Sequence, residues 1–131
     1  MTSEASFQTA FTRWAKYNLP CSTACELKLE KGNSLPFSAV KEHQIRNLLI
    51  VKHGGFGYKI PDVGYGQKPF DFFTLKGDAY IVIMFYKKGQ KEFVMIDVET
   101  FVTESERSER RSLTEERAKE IGTLCFLSPT G

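Results

Sequence analysis

The sequence predicts a single α/β domain in which a mixed central β-sheet is flanked by helices. Three observations carry this expectation. The chain has 131 residues, the size of one ordinary domain with one core. Apolar residues recur at helical spacing near both ends and after the first strand pattern. Between them lie several short runs of β-branched and aromatic residues bounded by Gly, Pro, Asn and Asp.

Taken in order, Phe7, Ala10, Phe11 and Trp14 predict an amphipathic helix from about Ser3 to Tyr17. Ser3 or Thr2 caps it and Asn18-Leu19-Pro20 ends it. Glu4 falls toward the buried face of that helix, where an acid serves either the helix dipole or an active site. Ser22 to Glu30 reads as a strand, followed by the loop Lys31-Gly32-Asn33-Ser34-Leu35-Pro36. Val40, Ile45, Leu48 and Leu49 support a helix from about Ser38 to Val51. His53 to Lys68 holds five glycines and Pro61, which suits a hairpin or long loop with a short strand near Phe56 to Ile60. Phe70 to Leu75, Gly77-Asp78 and Ala79 to Tyr86 read as the strand, turn and return strand of a hairpin. Phe93 to Val98 adds a strand. Glu104 to Arg111 is low in complexity, and Ser112-Leu113-Thr114-Glu115 is a capping-box pattern opening a last helix to about Leu124. The expected order is α-β-α-β-β-β-β-α.

Composition narrows the function classes. With 41% hydrophobic and 26% charged residues the chain has the balance of a soluble globular protein. The longest apolar run, Ala79 to Tyr86, is far short of the roughly 20 residues of a membrane-spanning helix, so no membrane partner is expected. Thr, Ser and Glu follow Met1 where a secretory leader would be basic and then apolar. Three cysteines without metal-like pairing point to a reducing, cytoplasmic setting and to buried thiols, not a zinc site. A net charge of +2 gives no overall attraction for nucleic acid. The cations are clustered, however, as Lys28 with Lys31, Lys87 and Lys88 with Lys91, and Arg107 with Arg110 and Arg111, either as solvated loop charges or as phosphate contacts.

The candidate chemistry lies in Ala24-Cys25-Glu26-Leu27-Lys28. Residues two apart in a strand share a face, so Glu26 and Lys28 point one way while Cys25 and Leu27 point the other. A carboxylate is a hard oxygen ligand for Mg²⁺ or Mn²⁺. A neighbouring ammonium can orient a water and offset charge on a phosphoryl transition state. Roughly one or two acid-x-Lys triplets arise by chance in a chain of this composition, and most are surface ion pairs. This one is the only such triplet in the sequence and sits in an apolar strand.

The run continues through Lys31, Ser34-Leu35-Pro36-Phe37 and Glu42-His43-Gln44. It resembles the active-site region of the RecU-type Holliday-junction resolvases of the PD-(D/E)XK nuclease superfamily. There a Glu-x-Lys strand leads through a Lys- and Ser-containing loop to a Phe-Pro-Leu-like turn and a helix bearing His-Gln. The resemblance covers residues 22 to 50 well and residues 79 to 122 loosely. It implies a restriction-endonuclease-like fold and a metal-dependent endonuclease, using Mg²⁺ or Mn²⁺ and acting as a homodimer on branched DNA such as a four-way junction. A phage- or mobile-element-encoded nuclease would suit the small size. By the same resemblance Glu26 is a metal ligand, Lys28 the catalytic lysine, Gln44 a water- or phosphate-positioning residue and Glu4 an added metal carboxylate. Lys31, Ser34, Arg110 and Arg111 would contact DNA. His43 is expected to pack or lie on the helix surface.

The family pattern also has an aspartate on a strand preceding Glu-x-Lys, and Asn18 to Cys25 contains no acid. Asp71, among Phe70, Phe72 and Phe73, is the expected replacement, on a strand placed beside that of Glu26 as a permuted pair. Asp62, a turn aspartate after Pro61, is the second choice, and Lys59 and Lys68 would be phosphate contacts or plain loop lysines. The missing aspartate supports the alternative of a catalytically inactive nucleic-acid-binding or interaction protein of the same fold. A third possibility is a small structural protein with Glu26 and Lys28 as a surface ion pair.

Overall fold

A computed structural model describes residues 3–62 and 66–127. Helix α1 spans Glu4–Asn18, with Phe7 and Phe11 buried and the Ser3 side chain accepting from the Ser6 N–H as its cap. Strand β1 (Ala24–Glu30) follows, then a short strand β2 (Ser34–Pro36), one 3-10 turn and helix α2 (Glu42–His53). Strands β3 (Phe56–Lys59) and β4 (Phe72–Leu75) precede the two central strands β5 (Ala79–Phe85) and β6 (Glu92–Asp97). Helix α3 (Val98–Arg107), strand β7 (Ser112–Thr114), helix α4 (Glu115–Ile121) and strand β8 (Thr123–Phe126) complete the described chain.

The result is a single small α/β domain built on a mixed sheet of order β1-β5-β6-β8, with β1 and β5 parallel and the other pairs antiparallel. Alternation along β5 and β6 divides the core in two. Ile81, Ile83, Phe85, Val94 and Ile96 face Leu48 of α2, Val98 and Phe101 of α3 and Ala118 of α4. Val82, Met84, Phe93 and Met95 face Phe7 and Phe11 of α1, with Trp14 edge-on to Phe93 at 4.9 Å between ring centroids. Because both faces are covered, β5 reads as one continuous apolar run.

Three expectations are corrected. Phe70 to Leu75 and Ala79 to Tyr86 do not form a hairpin: β4 pairs with β3, and β5 pairs with β1 and β6. The Ala24 N–H donates to the Asp78 carbonyl, and a Cβ on Gly77 would lie 1.8 Å from the Ser22 carbonyl oxygen. Residues 76–78 are therefore wedged against the start of β1, which a local turn signal does not foresee. Residues 98–107 form α3, capped by the Asp97 carboxylate accepting from the Glu99 and Thr100 N–H groups. The last helical pattern divides into β7, α4 and β8. Thr114, not Ser112, is the cap of α4, because residues 112–114 pair antiparallel with β2.

β1 is an edge strand of the four-stranded sheet, with β5 as its only paired neighbour among the described residues. The β3–β4 ribbon forms a separate two-stranded sheet, and most of its residues are exposed.

Candidate active site

The Glu26 and Lys28 side chains project from the same face of β1, as the strand period requires. In the parallel register they lie beside Ile81 and Ile83, so they border the core that α2 and α3 cover. Cys25, Leu27 and Leu29 turn to the α1 side. Lys28 Nζ is 3.3 Å from Glu26 Oε2, with side chains 16% and 26% exposed. That is neither a solvated surface pair nor a buried one. The carboxylate and the ammonium are partly desolvated yet still touch solvent, which strengthens their fields. Burial pushes the Cys25 thiol up to about 12, which disfavours its thiolate form.

The other expected catalytic residues are engaged elsewhere or face solvent. Gln44 Oε1 accepts from the Lys41 N–H at 2.8 Å, so the amide caps the start of α2 and that bond competes with any role in holding water. His43 is exposed on α2. Glu4 is exposed, contrary to its expected buried direction. It stands in the first turn of α1, the position that favours an acid for dipole reasons, and α1 packs on the opposite side of the sheet from Glu26.

Asp71 precedes β4, and its strand is hydrogen-bonded to β3, not placed beside β1. Its carboxylate is 84% exposed, and Phe70, Phe72 and Phe73 beside it are exposed too, so burial among aromatics does not raise its cost. Lys68 Nζ bridges it at 3.0 Å to Asp62 at 2.6 Å, and these two carboxylates hold the Lys68 ammonium above the usual lysine range. Asp71 and Asp62 thus share one lysine. Among the described residues no group of three His, Cys, Asp or Glu side chains converges as a metal cluster, and Glu4, Glu26 and Asp71 remain separate. Mg²⁺ commonly needs only one or two protein carboxylates, completed by water and substrate phosphates, and Glu26 fits as one such ligand.

The expected DNA-contacting residues fall into two groups. Ser34 of β2 is opposite Thr114 of β7, and the Phe37 N–H donates to the Arg111 carbonyl. That pairing sets Arg111 beside Phe37, at the far end of β2 from the loop that holds Lys31, which meets the start of α4 through the Glu115 N–H donating to the Asn33 carbonyl. Lys59 and Lys68 belong to the β3–β4 segment.

Two carboxylates on this side of the molecule were not singled out by the sequence. Glu30 shares the face of Glu26 and Lys28, and its Oε1 accepts from the Gly32 N–H at 3.0 Å, fixing the Lys31 loop. Strand alternation alone would have found it. Glu115 is buried at the head of α4 and binds both Lys87 and Lys119. Burial pushes its carboxyl up, but the two ammonium groups outweigh burial and hold it below the usual range.

Among the described residues no helix is long and apolar enough to cross a membrane. Compared with known proteins, the chain matches no family model, no curated protein and no solved structure.

Proposed function

We propose that the protein is a metal-dependent endodeoxyribonuclease that hydrolyses phosphodiesters in branched DNA, in the manner of the RecU-type resolvases its sequence resembles. The observation that carries this reading is the half-buried Glu26–Lys28 pair on an edge strand whose outer side has no paired neighbour among the described residues. That edge is where a strand bearing a second carboxylate would stand in the family pattern. Asp71 is the candidate from the family pattern, and to reach that edge β4 would have to leave β3, with which it pairs. An antiparallel strand with Asp71 opposite Glu26 or Lys28 would present its carboxylate on their face.

Bound Mg²⁺ or Mn²⁺ would polarise the scissile phosphate and lower the pKa of a bound water. Glu26 would hold the metal through oxygen. Lys28, displaced from Glu26 by that cation, would be free to donate to the attacking water or to a phosphate oxygen. Lys31, Ser34, Arg110 and Arg111 would hold the DNA backbone, and a homodimer would match the near two-fold symmetry of a junction.

A second reading, an inactive DNA-binding protein of the same fold, draws on the separation of Asp71 from Glu26. The two are separated by incubating the protein with a synthetic four-way junction in Mg²⁺ or Mn²⁺. Cleavage that is lost in both Glu26→Gln and Lys28→Ala supports the nuclease. Binding without cleavage in either metal rejects it in favour of the second reading.

A further inference from the structure

Parallel pairing of β1 with β5 joins two lysine-bearing loops that are more than fifty residues apart in the chain. Glu30 lies opposite Phe85, and the Tyr86 N–H donates to the Glu30 carbonyl at 2.7 Å. Lys31 and Lys87 therefore leave neighbouring strands at the same end of the sheet, where adjacent strands are about 4.8 Å apart. The Gln90 N–H donates to the Lys87 carbonyl at 3.0 Å, closing a turn with Gly89 at φ +84° in its third position. That turn sets Lys88 at its corner and returns the chain to Lys91, just before β6. A second tie runs through Glu115, whose N–H donates to the Asn33 carbonyl and whose carboxylate binds Lys87.

The charges at this end are sorted by depth. Lys31, Lys88 and Lys91 are exposed, and none forms an ion pair among the described residues. Glu30, Glu92 and Glu115 sit further in and are occupied: Glu30 by the Gly32 N–H, Glu92 by Lys119, and Glu115 by Lys87 and Lys119. Residues 31–33 and 86–91 contain no acid, and exposed Glu116 in the first turn of α4 can offset only one of the three exposed charges. Like charges gathered by the fold repel one another, and a partner with repeated negative charge relieves that repulsion. Residues 31–33 and 86–91 expose no large apolar side chain, and the exposed Phe126 opposite Glu92 is a small apolar area for anchoring in lipid. A phosphate backbone suits the patch better.

We propose that Lys31, Lys88 and Lys91 form one contact for the phosphate backbone of duplex DNA. The proposal deepens the nuclease reading and rests on it for the choice of DNA. Lys31 follows Lys28 by three residues, about 10 Å along an extended chain, so the patch anchors a strand beside the Glu26–Lys28 pair. The backbone then runs across the carboxyl ends of β1 and β5 toward the 87–91 turn.

The test is fluorescence anisotropy of the full chain with a labelled blunt duplex in EDTA, read over a series of salt concentrations. Lys88→Ala with Lys91→Ala should weaken binding about tenfold or more and flatten the slope of log K against log salt by about two. Adding Lys31→Ala should flatten it further by about one. Lys87 is kept because it holds Glu115. Arg13→Ala with Lys16→Ala removes the same charge from exposed positions of α1, on the other side of the sheet, and should leave the slope as in wild type. An unchanged slope in the Lys88→Ala, Lys91→Ala variant overturns the proposal. So does an equal loss in the α1 variant, because net charge alone would then be read. Binding to phosphatidylserine vesicles with none to the duplex overturns it as well. Because binding is read without metal, the two readings fail separately. Lysine-dependent binding without junction cleavage removes only the nuclease, and cleavage with an unchanged salt slope in the variant removes only this contact.

Discussion

The central sheet and the β3–β4 ribbon are both rich in aromatic and β-branched residues, yet one is covered on both faces and the other is mostly exposed. In the sheet, Ile81, Ile83, Phe93 and Ile96 are fully enclosed by four helices. In the ribbon, Tyr58, Phe70, Phe72 and Phe73 meet solvent. An isolated two-stranded ribbon is marginal in water, and exposed rings give it little folding energy. The same residue types therefore serve stability in one region and are left available for contact in the other.

Substitutions should separate the regions sharply. Phe101→Ala removes a fully buried ring between α3 and the sheet and should cost about 3–5 kcal/mol in chemical denaturation. Phe72→Ala on the ribbon should stay within about 0.5 kcal/mol of wild type. Equal losses would show that the ribbon is part of the folded core. Next in size is Gly77→Ala at the join between ribbon and sheet. Its Cβ would collide with the Ser22 backbone, so a loss of about 1–3 kcal/mol is expected from overpacking. A neutral result would mean that residues 76–78 are not held against β1.

A smaller effect is expected at the head of α3. Asp97→Ala removes the cap and the ion pair with Lys52, and should lower stability by about 1–2 kcal/mol. Asp97→Asn keeps a capping oxygen and should recover much of that. The weakest effect is the pH response. Glu99 is held below the usual carboxyl range by Lys52, and Glu104 by Arg117, while at Glu115 burial is outweighed by Lys87 and Lys119. Depressed folded values stabilise the native state fully above the unfolded value near 4.5, and that contribution is lost as pH falls through the lower folded values. Lys52 and Lys119 are raised, Lys52 chiefly by Asp97 and Lys119 chiefly by Glu115. Their contribution is complete below about 10.5 and is lost as pH rises through the higher folded values. Tm should therefore be flat near neutrality and fall in acid, with Glu104→Gln and Glu115→Gln softening the acid limb.

The same division explains what was legible in the sequence. Period-two alternation located β1 and put Glu26 and Lys28 on one face, because that information is local. The apolar spacing of Phe7, Phe11 and Trp14 located α1 for the same reason. The Gly77-Asp78 turn misled because β5 is claimed by β1 in parallel, a pairing set by residues more than fifty positions away. Strands β2 and β7 have three residues each and exist only through one another. Helix α3 was hidden by its charge, although Asp97 at its cap and Val98 and Phe101 on its buried face carry its signal. At the site, the shared face of Glu26 and Lys28 was readable. The capping bond of Gln44 and the shared lysine of Asp62 and Asp71 depend on three-dimensional neighbours.

The proposal at the centre of this account is that Asp71, whose strand is paired with β3 in the structure, is brought to the open edge of β1 to complete a metal site with Glu26. Cleavage of a four-way junction in Mn²⁺ by Asp71→Asn and Asp62→Asn, side by side with wild type, tests it most directly. The account predicts that Asp71→Asn abolishes cleavage as completely as Glu26→Gln, while Asp62→Asn retains most of it. Wild-type cleavage by Asp71→Asn would contradict the claim.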